Sequence, residues 1–310
     1  MILIATIVAT AIFMSCSKNG NEVLNSTESV ESMLNVRTTF AVPETRADIS
    51  SFPDRACIGL FITSGSLGNS YNGVANYVNV KSQYNRGSNA WSQTPPVYLT
   101  PALATIYAYY PYSESVRTGN IPIDHLSQLD YLYGTHSNGQ GTVNSEYPTV
   151  SLTMRHALAL LQFNINRSNY EGVGVVTKIE VANAIGKTCI FSQGTLNIQT
   201  GGIALTSGEN DPAFISNSSG LYTIPQSSTS VESPLRILIL PTESIPGAGD
   251  VKVNFTIDGK IYTWDVPAST VWNSGTKNIY SVSLSGRELV VSGVTIVNWT
   301  DGISGSVTLR

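Results

Sequence analysis

This sequence has few charged side chains. Asp, Glu, Lys and Arg make up 12% of its 310 residues, about half of the roughly 25% found in typical soluble domains. No two of the 17 Lys and Arg residues are adjacent, and the formal net charge is -4. Proteins that neutralise nucleic-acid phosphates need clustered basic side chains, so nucleic acid is excluded as a partner. The lack of Glu and Lys, together with the lack of sustained helical periodicity, also argues against coiled coils and helix bundles.

Cysteine is also scarce, with three residues and no CxxC pair. That excludes the common cysteine-based zinc and redox motifs. Cys57 and Cys189 each lie in an apolar, strand-like run. They could form a disulfide in an oxidising compartment, or each could be a buried thiol that behaves as a small hydrophobe. The sequence leaves both alternatives open.

Catalytic motifs are absent as well. The sequence contains no HExxH, no GxSxG and no glycine-rich dinucleotide loop, so no catalytic, metal-binding or cofactor-binding residue is predicted. Three histidines could still converge in the fold: His125, His136 and His156. The last of them begins an apolar run, which favours a core histidine hydrogen-bonded to the backbone.

Strand-forming and turn-forming residues dominate what remains. Hydrophobic residues are 42% of the chain, Gly and Pro number 26 and 14, and Val, Ile, Thr and Tyr are frequent. This composition predicts an all-β protein with two β-sandwich domains in tandem. The clearest local signal is residues 251–266, where the Asp258-Gly259 turn pair lies between two alternating runs. We expect a hairpin with one buried face, on which the opposed pairs are Val251 and Val266, Val253 and Trp264, and Phe255 and Tyr262.

Further strands are predicted along both halves of the chain. Residues 235–240 are apolar and bounded by two prolines, which favours a central strand covered on both faces. Residues 156–165 are interpreted as one strand with a bulge. A polar stretch at 166–174 predicts a boundary between an N-terminal sandwich at 47–168 and a C-terminal sandwich at 169–310. Other predicted strands are residues 58–62, 106–110, 280–284 and 294–297.

The first residues have the features of an export signal. Residues 1–14 are apolar and uncharged, too short to span a membrane, for which about 20 residues are needed, but suited to a signal peptide. The run ends at Ser15-Cys16, which is similar to the lipobox of bacterial lipoproteins and predicts acylation of Cys16. Two alternatives stay open: an ordinary signal with an incidental cysteine, and a translation start farther upstream. Residues 19–32, which follow, are polar and have few large apolar side chains, as is typical of a tether.

Arginine recurs in the region after the tether, at Arg37, Arg46 and Arg55. Arg46 lies in the segment VPETRADI, where Pro43 and small or polar neighbours disfavour regular structure. Proteases with trypsin-like specificity cleave after exposed, flexible arginines. Physical chemistry alone favours the alternative that all three are ordinary surface arginines.

The order and spacing of these features resemble the fimbrillin family of Bacteroidales, the Mfa-like and FimA-like pilins of type V pili. The resemblance spans nearly the whole chain and depends on several segments together. They are the lipobox at Cys16, Thr45-Arg46-Ala47, IGLFI at 58–62, YAYYPY at 107–112, RHALALLQFNI at 155–165, WNSGTKNIYSVSL at 272–284 and VTIVNW at 294–299.

The resemblance implies a non-enzymatic structural or accessory subunit without cofactors. It implies two transthyretin-like β-sandwich domains, an outer-membrane lipoprotein palmitoylated at Cys16, and cleavage after Arg46, with Arg37 as second choice. Cleavage would remove residues 17–46, which the resemblance implies are a tether and a removable N-terminal strand. The vacated groove would accept a strand from another fimbrial subunit at the cell surface. Residues 288–310 are the expected donor strand. A shaft, tip or anchor role and a host protein or glycan ligand stay open.

A surface glycan-binding lipoprotein of a polysaccharide-uptake system is the alternative function. Six tyrosines could form a sugar-stacking platform: Tyr107, Tyr109, Tyr110, Tyr112, Tyr131 and Tyr133. Tyrosines in strands more often pack in the core or on a sheet face. Exposed aromatic rings beside carboxylates would favour the glycan-binding alternative, whereas buried rings would argue against it.

Overall fold

A computed structural model describes residues 31–40, 52–73, 77–208, 211–286 and 288–299. Within these ranges the chain forms 21 β-strands and no α-helix, which confirms the predicted all-β class. No helix long and apolar enough to cross a membrane occurs in this part of the chain. Cys16 and Arg46 lie outside the described residues.

Seven strands form the largest sheet. They are β2 (Asn35–Phe40), β3 (Cys57–Thr63), β4 (Val80–Asn85), β5 (Ala90–Thr94), β7 (Thr105–Tyr110), β9 (Leu132–His136) and β10 (Thr149–His156). Their spatial order is β2–β10–β9–β7–β3–β4–β5. A separate two-stranded sheet is formed by β1 (Ser32–Met33), which precedes β2 in the chain, and β6 (Tyr98–Leu99), which follows β5.

The remaining strands form three further sheets. The three-stranded sheet comprises β8 (Asn120–Asp124), β13 (Gln193–Asn197) and β14 (Ile203–Ser207), in the order β14–β13–β8. The four-stranded sheet comprises β11 (Ala159–Ser168), β17 (Arg236–Ile239), β20 (Thr276–Ser285) and β21 (Glu288–Asn298), in the order β17–β11–β20–β21. The last sheet comprises β12 (Val175–Asn183), β15 (Ala213–Ser216), β16 (Tyr222–Thr223), β18 (Val251–Ile257) and β19 (Lys260–Asp265).

Three apolar clusters hold these sheets together. One is built from β2 to β10 and contains Ile58, Leu60 and Ile106. Another packs between the last two sheets and contains Phe163 and Phe255, whose rings meet edge to face at 5.1 Å. A third cluster contains residues from both sides of the proposed boundary, including Tyr107, Leu158, Leu196, Leu238 and Trp299. The division into domains 47–168 and 169–310 therefore stays a prediction.

The segment 156–165 is two strands, so the prediction of one bulged strand is wrong. Strand β10 ends at His156 and pairs with β2 and β9, whereas β11 begins at Ala159 and pairs with β17 and β20. The chain changes sheets at Ala157 and Leu158, both fully buried. Because the connection itself is buried, the apolar run continues through it and hides the break.

The apolar segment 235–240 forms β17, which is covered on both faces as predicted but is not central. Leu235, Ile237 and Ile239 are buried in one cluster and Leu238 and Leu240 in another. Strand β17 is nevertheless the first in the order of its sheet and pairs there with β11. Burial on both faces explains the apolar sequence without requiring two neighbouring strands.

The hairpin at residues 251–266 has the predicted register. Val253 is opposite Trp264 and Phe255 is opposite Tyr262, and the backbone N–H of Val266 donates to the carbonyl of Val251 at 3.0 Å. Asp258 and Gly259 have positive φ angles of 47° and 77°, as a two-residue turn of this kind requires. One expectation needs correction: Trp264 and Tyr262 are half-buried rather than in the core, because β19 is the last strand of its sheet.

The Asp258 side chain also ties the turn to the segment before β12. Its carboxylate accepts hydrogen bonds from the backbone N–H groups of Gly174 and Val175, at 2.8 and 2.9 Å, and from the Tyr170 hydroxyl at 2.9 Å. Partial burial raises the pKa of Asp258, but these donors and the Arg167 charge outweigh that effect and lower the pKa overall. The carboxylate form is therefore stabilised by folding.

Asp258→Asn is expected to lower the free energy of unfolding near neutral pH by about 1 kcal/mol, since the site is largely exposed. Asn keeps the positive φ angle and the turn, so the change isolates the charge. A lowered pKa in the folded state gives stability above the unfolded value of about 3.9 that is lost as pH falls through the folded value. Denaturant titrations should show the wild-type advantage shrinking below that pH. A difference that is constant from pH 7 to pH 2 would contradict the assignment.

Candidate functional site

The N-terminal strand is attached to the seven-stranded sheet along one edge. Strand β2 pairs in parallel with β10, from Asn35 opposite Thr149 to Phe40 opposite Met154. It is the first strand in the order of its sheet. The short strand β1 before it pairs with β6, with Met33 opposite Tyr98. No local sequence pattern predicts the parallel pairing, which joins segments more than 100 residues apart.

The side chains of this segment fill an apolar site at the sheet edge. Leu34, Val36 and Phe40 are 2%, 2% and 4% exposed, whereas Met33 is 58% exposed. The Phe40 ring packs on Phe52, with centroids 5.1 Å apart. Burial of each large apolar side chain stabilises the segment by about 1.5–3 kcal/mol. These contacts, rather than a second hydrogen-bonded neighbour, hold the strand in place.

A groove runs beside the N-terminal strand. Its volume is about 520 Å³, and β2 and the region of β5 form its walls. The Trp91 indole N–H bridges the two walls by donating to the Thr38 hydroxyl at 3.2 Å. The two outermost strands of the seven-stranded sheet therefore approach each other across a gap that is only partly filled.

The C-terminal strand is also held along one edge. Strand β21 pairs with β20 and is the last strand in the order of its sheet. Its apolar side chains are largely in solvent: Val294, Ile296 and Val297 are 51%, 57% and 41% exposed. Trp299, directly after the strand, is 3% exposed, and its backbone N–H donates to the Gly275 carbonyl at 2.8 Å.

The arginines have different surroundings. Arg37 is exposed on β2 and lies opposite Ser151 of β10, so a protease can reach its peptide bond only after the strand has left the sheet. Arg55 is exposed before β3, with Asp54 at 3.8 Å. Arg46 and the segment that carries it lie outside the described residues.

The three histidines have separate environments. His156 is buried, which confirms its predicted core location, and its Nδ1 lies 2.9 Å from the Asp130 carboxylate. His136 Nε2 accepts a hydrogen bond from the backbone N–H of Ile106 at 3.1 Å. His125 Nε2 lies 3.3 Å from the Asp211 carbonyl. Burial lowers the pKa of His125 and of His136. No group of three potential ligands that could hold a metal ion occurs among the described residues.

The aromatic residues are mainly core residues. Tyr107, Tyr109 and Tyr131 are buried, and the other three candidate tyrosines are half-buried. Burial raises the pKa of Tyr109 to about 12, and its hydroxyl lies 2.7 Å from the Asn79 side-chain oxygen. No tryptophan is exposed: Trp91, Trp264, Trp272 and Trp299 are all buried or half-buried. These rings do not form an exposed sugar-stacking platform.

The two described cysteines are half-buried free thiols. The Cys57 thiol lies 3.4 Å from the Arg55 carbonyl. Burial raises the pKa of the Cys189 thiol, and the nearby Asp250 carboxylate raises it further. A raised pKa keeps Cys189 in its less nucleophilic, protonated form.

Known proteins that are similar to this chain bear fimbrial and cell-adhesion names. A Bacteroides uniformis protein that bears the name fimbrium subunit Fim1C is 23% identical over 325 aligned positions, covering 99% of this chain and 97% of that protein. A solved B. uniformis structure named for cell adhesion is similar with a TM-score of 0.63 at 19% identity, covering 86% of this chain and 99% of the other.

A second solved structure shares this fold. A fimbrial protein from Bacteroides vulgatus is similar with a TM-score of 0.55 at 15% identity, over 86% of this chain and 99% of that one. The sequence profile of the Fimbrillin-like family matches residues 45–299. That match covers most of the chain and confirms the resemblance drawn from its segments: the chain belongs to the Fimbrillin-like family.

Proposed function

We propose that this chain is a non-enzymatic structural or accessory subunit of a type V fimbria at the cell surface, assembled by protease-triggered strand exchange. The observation that carries the proposal is the attachment of β2, which is hydrogen-bonded along one edge and inserts Leu34, Val36 and Phe40 into the protein. Membership of the Fimbrillin-like family and the fimbrial relative support the role as a fimbrial subunit.

Removal of β2 would leave both an apolar groove and an unpaired edge. The vacated edge is the side of β10 from Thr149 to Met154, and its exposed backbone groups would template a new strand. An incoming strand with apolar side chains at every second position would restore both the hydrogen bonds and the core. This is strand addition, in which backbone pairing supplies affinity and side-chain pockets supply specificity.

Strand β21 suits the role of donor. Most of its side chains are exposed, and it pairs along one edge. Val294 and Ile296 are two residues apart and share a face, as Leu34 and Val36 do on the N-terminal segment. The proposed donor segment, residues 288–310, continues beyond the described part of the chain.

Cleavage after Arg46 would separate β2 from β3, because Arg46 lies between these strands in the sequence. Arg37 is a poorer site because it lies within β2, opposite Ser151. In this scheme Cys16 carries the lipid until cleavage releases the subunit from the outer membrane. We expect labelled palmitate to be incorporated into the wild-type chain and not into Cys16→Ser.

Trypsin treatment of lipid-free protein tests the proposal. We expect a fragment that begins at Ala47, followed by ladders of oligomers on a denaturing gel run without boiling. Arg46→Ala, with Arg37 unchanged, should prevent both. Cleaved protein that stays monomeric at high concentration would contradict strand exchange, and binding of a polysaccharide by the intact form would then favour the glycan-binding alternative.

A further inference from the structure

The buried ring of His156 contacts residues from both ends of the described chain. The Trp299 ring stacks on it, with centroids 3.6 Å apart and planes 6° apart. The Phe40 ring lies beside it at 6.0 Å, with planes 22° apart. The Asp130 carboxylate holds Nδ1 at 2.9 Å. One imidazole thus lies between the residue that ends the N-terminal strand and the residue that follows the C-terminal strand.

Trp299 is the main buried anchor of the C-terminal strand. The residues of β21 are exposed or half-buried, whereas Trp299 packs in the third apolar cluster. Its indole N–H is nevertheless buried without a hydrogen-bond partner, and so is the side-chain oxygen of Asn278, which lies opposite Ile296. An unpaired buried polar group opposes docking, so at this end of β21 docking depends on the packing of the Trp299 ring in addition to the backbone pairing with β20.

Phe40 packs beside the His156 ring, on which the Trp299 ring stacks. The end of β10 places His156 beside Phe40, which is opposite Met154, two residues earlier on β10. Departure of β2 would remove Phe40 and open space beside the imidazole. Because close-packed interiors lose contacts when a neighbouring ring leaves, the His156 ring would gain freedom and Trp299 would lose part of its support.

We propose that His156 couples the two strands, so that loss of β2 weakens the docking of Trp299 and releases β21. The inference rests on the proposed function and adds regulation to it: a subunit frees its donor strand only after its own acceptor groove has been opened. An uncleaved precursor would keep both strands in place, which prevents premature assembly. The coupling itself needs no partner molecule, so it can be measured in the uncleaved monomer.

Hydrogen–deuterium exchange on the uncleaved, lipid-free chain tests the coupling. Phe40→Ala and the bulkier Phe40→Leu, which fills space but lacks the ring, should each accelerate exchange in residues 288–299 by about tenfold or more. Val36→Ala is the matched control, since Val36 is buried on the same strand. It should change these rates by less than about twofold. Amides of β12 and β18 serve as the internal reference and should not change.

Either of two results would overturn the proposal. One is exchange in residues 288–299 that stays at the wild-type rate in a folded Phe40 variant. The other is equal acceleration by Val36→Ala, which would mean general loosening of the sheet. These outcomes are separable from failure of strand exchange, because cleaved wild-type protein can polymerise whether or not the uncleaved monomer shows the coupling.

Discussion

Trp272→Ala is expected to lower the free energy of unfolding by about 3–5 kcal/mol, the range for truncation of a large buried aromatic residue. Trp272 is fully buried in the cluster between the four-stranded and five-stranded sheets. Its indole N–H donates to the Tyr280 hydroxyl at 2.7 Å. Alanine would leave a large cavity and remove the hydrogen-bond donor to a hydroxyl whose pKa burial raises to about 12. Denaturant unfolding measures the loss.

Trp264→Ala is the matched control, because it removes the same side chain from the edge of the same cluster. Trp264 is half-buried on β19, with its ring 4.8 Å from that of Tyr280. Its partial burial predicts a smaller loss of about 1–2 kcal/mol. Equal losses for the two variants would contradict the difference in burial, and a loss below about 1 kcal/mol for Trp272→Ala would contradict its place in the core.

These two tryptophans show what the sequence could predict. The alternation around Asp258-Gly259 is a local signal, and it predicted the turn, the register and the face on which Trp264 lies. It could not predict how much of that face is covered, because coverage depends on β19 being the last strand of its sheet. Trp272 lies in the connection between β19 and β20, which has no such alternation, and its full burial arises from packing between two sheets.

The candidate site was only partly predictable for the same reason. The resemblance implied a removable N-terminal strand, but its partner β10 is more than 100 residues away and the pairing is parallel. The stack of His156 on Trp299 joins residues 143 positions apart, which no local pattern encodes. Asp130 between apolar neighbours was a usable clue, since a buried carboxylate needs a compensating partner.

Asp130→Ala tests that partnership and is expected to cost about 3–5 kcal/mol of stability, the range for breaking a buried ion pair or an equivalent hydrogen-bonded pair. Both side chains are almost fully buried, with 2% of His156 and none of Asp130 exposed. Alanine removes the carboxylate that orients the imidazole, and the polar ring would stay buried without it.

The exposed pair of Lys252 and Asp265 supplies the matched control for Asp130→Ala. Their side chains are 40% and 61% exposed, so water solvates either charge when the other is removed. Asp265→Ala should therefore change the free energy of unfolding by less than about 1 kcal/mol. Denaturant titrations of both variants at one pH give the comparison. Equal costs would mean that Asp130 does not hold His156 in the folded protein. Removing one partner of a buried pair should cost more than removing one partner of an exposed pair, because the remaining buried group is not solvated by water.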